Sequence, residues 1–236
     1  MKKHIPNTLT SLNLFSGSIA TVMAFQGEYT WVVVWVIIAA LFDFSDGFAA
    51  RLLKAYSPIG KELDSLADMV SFGLAPSIAA FRFLSDNTIR ITQNPIIVEY
   101  LPYIAFLLAI FSALRLAKFN VDERQSESFI GLNTPANAIF WVSFCYGLAY
   151  KVPMITPSLI YTFLVAIVIF SLLMVSEIPM FSLKIKNIKF KGNEYRYFLA
   201  AFIIVATITI GVLGIAAGIL LYITLSIFQQ TGILKK

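Results

Sequence analysis

The stretch Leu41-Phe42-Asp43-Phe44-Ser45-Asp46-Gly47-Phe48-Ala49-Ala50-Arg51, with Pro58-Ile59-Gly60-Lys61-Glu62-Leu63-Asp64-Ser65-Leu66-Ala67-Asp68 close behind it, decides how this chain is read. Both segments belong to long apolar runs, yet together they carry Asp43, Asp46, Asp64 and Asp68. An aspartate near the centre of a membrane helix costs about 3 kcal/mol on insertion scales. Several in succession need a partner that offsets this cost.

Helical geometry indicates the partner. At about 100° per residue, Asp43, Asp46, Gly47 and Ala50 share one stripe, with Arg51 beside it. Gly60, Asp64 and Asp68 form a second stripe, spaced by four. The turn at Tyr56-Ser57-Pro58 is short, so the two helices are expected to pack as antiparallel neighbours with their stripes facing. Converging carboxylates repel one another, and a hard divalent cation removes that repulsion. Oxygen-only ligands favour Mg²⁺ or Mn²⁺, and the absence of nearby His and Cys argues against zinc. Gly47 and Gly60 remove side chains beside the carboxylates, which lets a phosphate approach the backbone. Arg51 supplies a bidentate phosphate donor. Close helix packing is a second reading of either glycine, and an interfacial charge is a second reading of Arg51.

The rest of the chain agrees with a membrane setting. Of 236 residues, 58% are hydrophobic and 13% charged, with a mean hydropathy of +0.81, more apolar surface than a soluble domain can hide. Apolar stretches fall at roughly 10–26, 30–53, 58–83, 97–118, 133–150 and 156–178. A last stretch, 197–229, would be about 50 Å long as one helix, against about 30 Å of hydrocarbon. Gly211-Val212-Leu213-Gly214 is a natural turn within it. The expectation is an all-α integral membrane protein of about eight transmembrane helices. It forms one catalytic domain over 1–236, with core spans at about 10–178 and two extra C-terminal helices at about 197–229. With the N-terminus in the cytoplasm, Arg82, Arg90 and Lys151 lie outside and the other fifteen of the 18 basic residues lie inside. Both termini and the aspartates then face the cytoplasmic side of the cell membrane. The net charge of +5 is explained by topology and anionic lipid headgroups, so no nucleic-acid partner is inferred. The first apolar segment carries no convincing cleavage site and reads as a span. Cys145 is the single cysteine, so no internal disulfide forms.

The pattern Asp43-x2-Asp46-Gly47-x2-Ala50-Arg51, eight residues, then Gly60-x3-Asp64-x3-Asp68, matches the signature of the CDP-alcohol phosphotransferase family at every spacing. The resemblance implies a bundle of that family's kind, a homodimer, and two divalent cations held by Asp43, Asp46, Asp64 and Asp68 around a CDP pyrophosphate. It also implies that Asp68 is the general base. Asp68 would take the proton of an acceptor hydroxyl, which attacks the β-phosphorus and releases CMP. Asn7, Thr10 and Ser57 would line the nucleotide site with Gly47, Arg51 and Gly60. Asn7 and Thr10 also suit a helix cap.

Three further segments resemble the serine-accepting branch of the family. These are Asp64–Ser77, Ala113–Val121 and Phe129-Ile130-Gly131-Leu132-Asn133-Thr134-Pro135-Ala136, the last with Asn133 where that branch usually has proline. The implied partners are CDP-diacylglycerol or a CDP-archaeol-type lipid, L-serine, and the surrounding membrane lipids. A zwitterionic amino acid needs a cation and an anion; Arg115, Lys118 and Arg124 offer the first, and Asp122 or Glu123 the second. Asn120 and Asn133 add hydrogen bonds. The basic residues equally suit the cytoplasmic end of a span. Two alternatives stand beside this reading. One is a sister enzyme using glycerol phosphate, inositol phosphate or another alcohol. The other is a metal-ion or proton-coupled transporter using the acidic cluster.

Overall fold

The computed structural model describes residues 4–122, 129–181 and 193–230. Hydroxyl side chains show how the first helix, α1 (His4–Gln26), tolerates an apolar setting. Thr8, Ser11, Ser16, Ser18 and Thr21 each donate to the carbonyl four residues earlier, so none leaves a donor bare. Its buried face is made of small or polar residues, Thr10, Asn13, Ser16, Gly17, Ala20 and Ala24. Chain direction reverses at Gly27, whose φ is +77°.

Helix α2 (Tyr29–Leu53) ends where Lys54 enters the left-handed region at φ 50°, its N–H bonded to the carbonyls of Ala50 and Arg51. Pro58 then opens α3 (Pro58–Asp68), and the Gly60 N–H donates to the Ser57 side chain at 3.0 Å as an N-cap. A π turn at Met69–Leu74 joins α3 to α4 (Ala75–Asn87), and a 3₁₀ turn extends the rod to Arg90. Pro76 has no N–H to give, and the i→i+5 spacing of the π turn absorbs this gap without ending the rod. A second composite rod comprises α5 (Pro95–Tyr100), a 3₁₀ turn and α6 (Leu107–Val121). Four simple helices follow: α7 (Thr134–Tyr150), α8 (Pro157–Val175), α9 (Glu194–Ile210) and α10 (Leu213–Gln230).

Counting each composite rod once, the described residues form eight helical rods, as the hydropathy predicts. Five are long and apolar enough to cross a membrane: 4–26, 29–53, 58–90, 95–121 and 157–175. Helices α7 and α9, at 17 residues each, are shorter. The break before α10 falls where the glycines place it. Gly211 has φ +69°, and a Cβ on Gly214 would sit 2.3 Å from the Ala206 carbonyl carbon. Hydropathy does not announce the two-residue strands β1 (Phe129–Ile130) and β2 (Pro179–Met180). They pair antiparallel, with Phe129 opposite Met180 and Ile130 opposite Pro179.

α7 lies against α2, α4 and α10. Its aromatics interleave with those of α8: Phe140 stacks on Phe170 at 4.1 Å, and Trp141 meets Phe163 edge-on at 5.0 Å. In the other half, α1 packs against α2, α3, α4 and the π turn. The expected direct pairing of α2 with α3 is replaced by a shared support. Both lie on α1 and make little contact with each other. The tightest point is Gly17, where a Cβ would stand 2.1 Å from Ser71 Oγ and 2.6 Å from Ser71 Cα. Gly17→Ala is therefore expected to destabilise the protein by about 1–3 kcal/mol, the usual cost of overpacking. A thermal melt of the detergent-solubilised variant checks this, and an unchanged midpoint contradicts the close approach of α1 to the π turn.

Candidate active site

Two adjacent turns of α1 reach two different helices. Thr10 Oγ1 donates to Asp46 Oδ2 on α2 at 2.6 Å, and Asn13 Nδ2 donates to Asp68 Oδ1 on α3 at 3.1 Å. Asp46 and Asp68 are buried, at 6% and 9% exposure. Three carboxylates then meet: Asp43, Asp64 and Asp68 each offer an oxygen within 4.8 Å of the others. Asp46 stands outside this cluster and turns one oxygen to Thr10.

This cluster tests the metal expectation. Hard carboxylate oxygens from two helices converge on one point, and Asp64 Oδ1 is buried with no hydrogen-bond partner among the described residues. The ion pairs Arg82–Asp86 and Lys118–Glu177 lie elsewhere. Close carboxylates in a low-dielectric setting repel one another and fit a divalent cation. The donor set suits a hard cation of the Mg²⁺ type.

Beside the cluster is a cleft of about 260 Å³, open between α1, α2 and α3. Its lining includes Asn7, Thr10, Asp46, Gly47, Arg51, Ser57, Gly60 and Asp64. Asp64 belongs to both cleft and cluster, so whatever fills the cleft abuts the carboxylates. The glycines serve different ends. A Cβ on Gly60 would meet Ser57 Oγ at 3.0 Å and Asn7 Oδ1 at 3.1 Å, whereas one on Gly47 would touch only Arg51 at 3.5 Å. Arg51 is exposed at the mouth. α1 is already helical at His4, so Asn7 and Thr10 lie within the helix and do not cap it.

Of the residues associated with an acceptor, Arg115 and Asn120 lie on α6 and Asn133 at the start of α7. Arg115 is 3% exposed on α6, with its guanidinium 5.4 Å from the Phe119 ring centroid. The Asn120 side chain donates to Ser65 Oγ at 2.8 Å, and its carbonyl accepts from Lys61 Nζ, so it clasps α6 to α3. Asn133 accepts the Ala136 N–H at 2.8 Å and caps α7. Arg124 lies outside the described residues.

The sequence pattern does not single out Asn13, which the structure places against Asp68. Its one signal is the small and polar spacing Thr10-x2-Asn13-x3-Gly17-x2-Ala20-x3-Ala24, which marks one face of α1.

The chain was compared with known proteins. The sequence model described as CDP-alcohol phosphatidyltransferase matches residues 3–229. A CDP-diacylglycerol–serine O-phosphatidyltransferase of Helicobacter pylori is 36% identical over 177 residues, 73% of this chain and 70% of that protein. One of the same description from Bacillus subtilis is 35% identical over 136 residues, 56% of this chain and 70% of that protein. An archaetidylserine synthase of Methanothermobacter thermautotrophicus is 32% identical over 143 residues, 59% and 57% of the two chains.

Because the Asn133 side chain is used as a cap, Asn133→Ala is expected to cost about 1 kcal/mol of stability and Asn133→Ser very little. Thermal melts of both variants check this. Equal losses contradict the capping role.

Proposed function

The chain belongs to the CDP-alcohol phosphatidyltransferase family, and from that premise we propose that it makes a phosphatidylserine-type lipid. It transfers the phosphatidyl group of CDP-diacylglycerol, or the ether-lipid equivalent of a CDP-archaeol-type lipid, to the hydroxyl of L-serine and releases CMP. The observation that carries the reading is the convergence of Asp43, Asp64 and Asp68 beside a cleft lined by Asp46, Gly47, Arg51 and Gly60. The acceptor assignment draws on the relatives, which are described as serine O-phosphatidyltransferases in two bacteria and an archaetidylserine synthase in an archaeon.

Asp43, Asp46, Asp64 and Asp68 would hold two divalent cations, Mg²⁺ or Mn²⁺, which supply charge neutralisation for a pyrophosphate and its CMP leaving group. The protein's own residues do the rest. Arg51, at the cleft mouth, donates to a phosphate. Gly47 leaves room for that phosphate to approach the α2 backbone. Asn7, Thr10 and Ser57 border the nucleotide end. Asp68 takes the proton of the acceptor hydroxyl, whose oxygen bonds to the β-phosphorus while the bond to the CMP oxygen breaks. Arg115 and Arg124 would offer cations to the serine carboxylate, and Asn120 and Asn133 would act through the α6–α3 clasp and the α7 cap. The protein sits in the cytoplasmic membrane with the site on the cytoplasmic side, as the placement of basic residues supports. It works as a homodimer, as the family resemblance implies.

Purified protein given CDP-lipid, Mg²⁺ or Mn²⁺, and a panel of labelled alcohols should convert serine into lipid with equimolar CMP. Product from glycerol phosphate or inositol phosphate in place of serine contradicts the acceptor assignment. Metal flux into vesicles without CMP release contradicts the enzyme. Asp68→Asn should lose about 10²–10⁴-fold in turnover, the usual contribution of a positioned base, while still binding CDP-lipid. Near-normal turnover in that variant sinks the base assignment.

A further inference from the structure

Asn13 is fully buried, with 0% exposure, on an apolar helix. A buried amide in a membrane helix ordinarily bonds another helix's backbone or a neutral side chain. Here the Nδ2 group instead donates to a carboxylate, Asp68 Oδ1, at 3.1 Å. That is a charge-assisted bond in a low-dielectric setting.

The backbone that carries the amide is also held. Ser71 Oγ donates to the Asn13 backbone carbonyl at 3.0 Å, so one residue of α1 is tied to the α3–α4 rod at both Asp68 and Ser71. One turn further along α1, Gly17 admits Ser71 to a distance that no side chain would allow. The register of α1 against the π turn is therefore locked at the level of the carboxylate. Asn13 Oδ1 is itself buried without a partner among the described residues, so the amide's place in the structure rests on its donor end.

We propose that Asn13 is a positioning residue for the metal centre. By holding one oxygen of Asp68, it fixes the orientation of the carboxylate that meets Asp43 and Asp64. This rests on the reading of Asp68 as a metal ligand. Groups that orient a metal-ligating side chain typically contribute ten- to a hundredfold in metal affinity.

The test uses the full chain in detergent and Mn²⁺ alone, with free Mn²⁺ read by electron paramagnetic resonance. Asn13→Leu removes the donor and keeps most of the volume; Asn13→Ala removes both and avoids any steric conflict. Ser16→Ala is the control, because Ser16 is buried on the same helix and its hydroxyl bonds the Leu12 carbonyl. Both Asn13 variants should elute as the wild type does on gel filtration and bind Mn²⁺ about 10–100-fold more weakly. Ser16→Ala should match the wild type. Wild-type Mn²⁺ affinity in either folded Asn13 variant overturns the proposal. A wild-type chain that binds no Mn²⁺ is a different failure, one that contradicts the metal reading of the whole site.

Discussion

Carboxylates brought within 4.8 Å of one another in a membrane bundle set the terms for everything around them. Each costs about 3 kcal/mol to insert, and mutual repulsion adds to that cost. Hydrogen bonding alone offsets only part of it. Thr10 answers one oxygen of Asp46 and Asn13 one oxygen of Asp68, while Asp64 Oδ1 has no answer among the described residues. The remaining charge calls for a cation. Much of the architecture then serves to keep the aspartates where a cation can reach them. The small-residue face of α1, the absent side chain at Gly17 and the cap at Ser57 all press two helices onto a third without closing the cleft between them.

The second half of the bundle frames this site. α7 and α8 form the aromatic core through the Phe140–Phe170 and Trp141–Phe163 contacts. The β1–β2 ribbon ties the segment before α7 to the segment after α8. Gly131, with φ +76°, makes that junction possible, because a Cβ there would stand 2.6 Å from the Met174 carbonyl oxygen. From the C-terminal hairpin, Tyr222 donates its hydroxyl to the Phe181 carbonyl just beyond the ribbon. The last helix therefore supports a loop next to the helix ends that carry Lys118 and Asn133.

Much of this was legible in the sequence because helical periodicity is regular. Spacings of three and four put Asp43 with Asp46 and Asp64 with Asp68, and the glycines at 211 and 214 mark a turn that length alone demanded. Other features depend on tertiary contact and leave no local trace. Thr10 near an N-terminus suits a cap until a carboxylate from another helix is placed against it, and Asn13 gives no local sign of its partner. The π turn at Met69–Leu74 is a shift of one residue in hydrogen-bond register, which hydropathy does not record. Two-residue strands are too short for any alternation to show. The indirect relation of α2 and α3 was hidden for the same reason: a short connection shows that two helices are near, but not that a third is shared between them.

The central claim is that these aspartates hold divalent metal where a CDP-lipid is bound. Crystals grown with Mn²⁺ and measured at the manganese absorption edge test it most directly. The account predicts anomalous peaks among Asp43, Asp64 and Asp68, with Asp46 and the cleft of Arg51 alongside. Peaks at other sites, or none at saturating Mn²⁺, would contradict it.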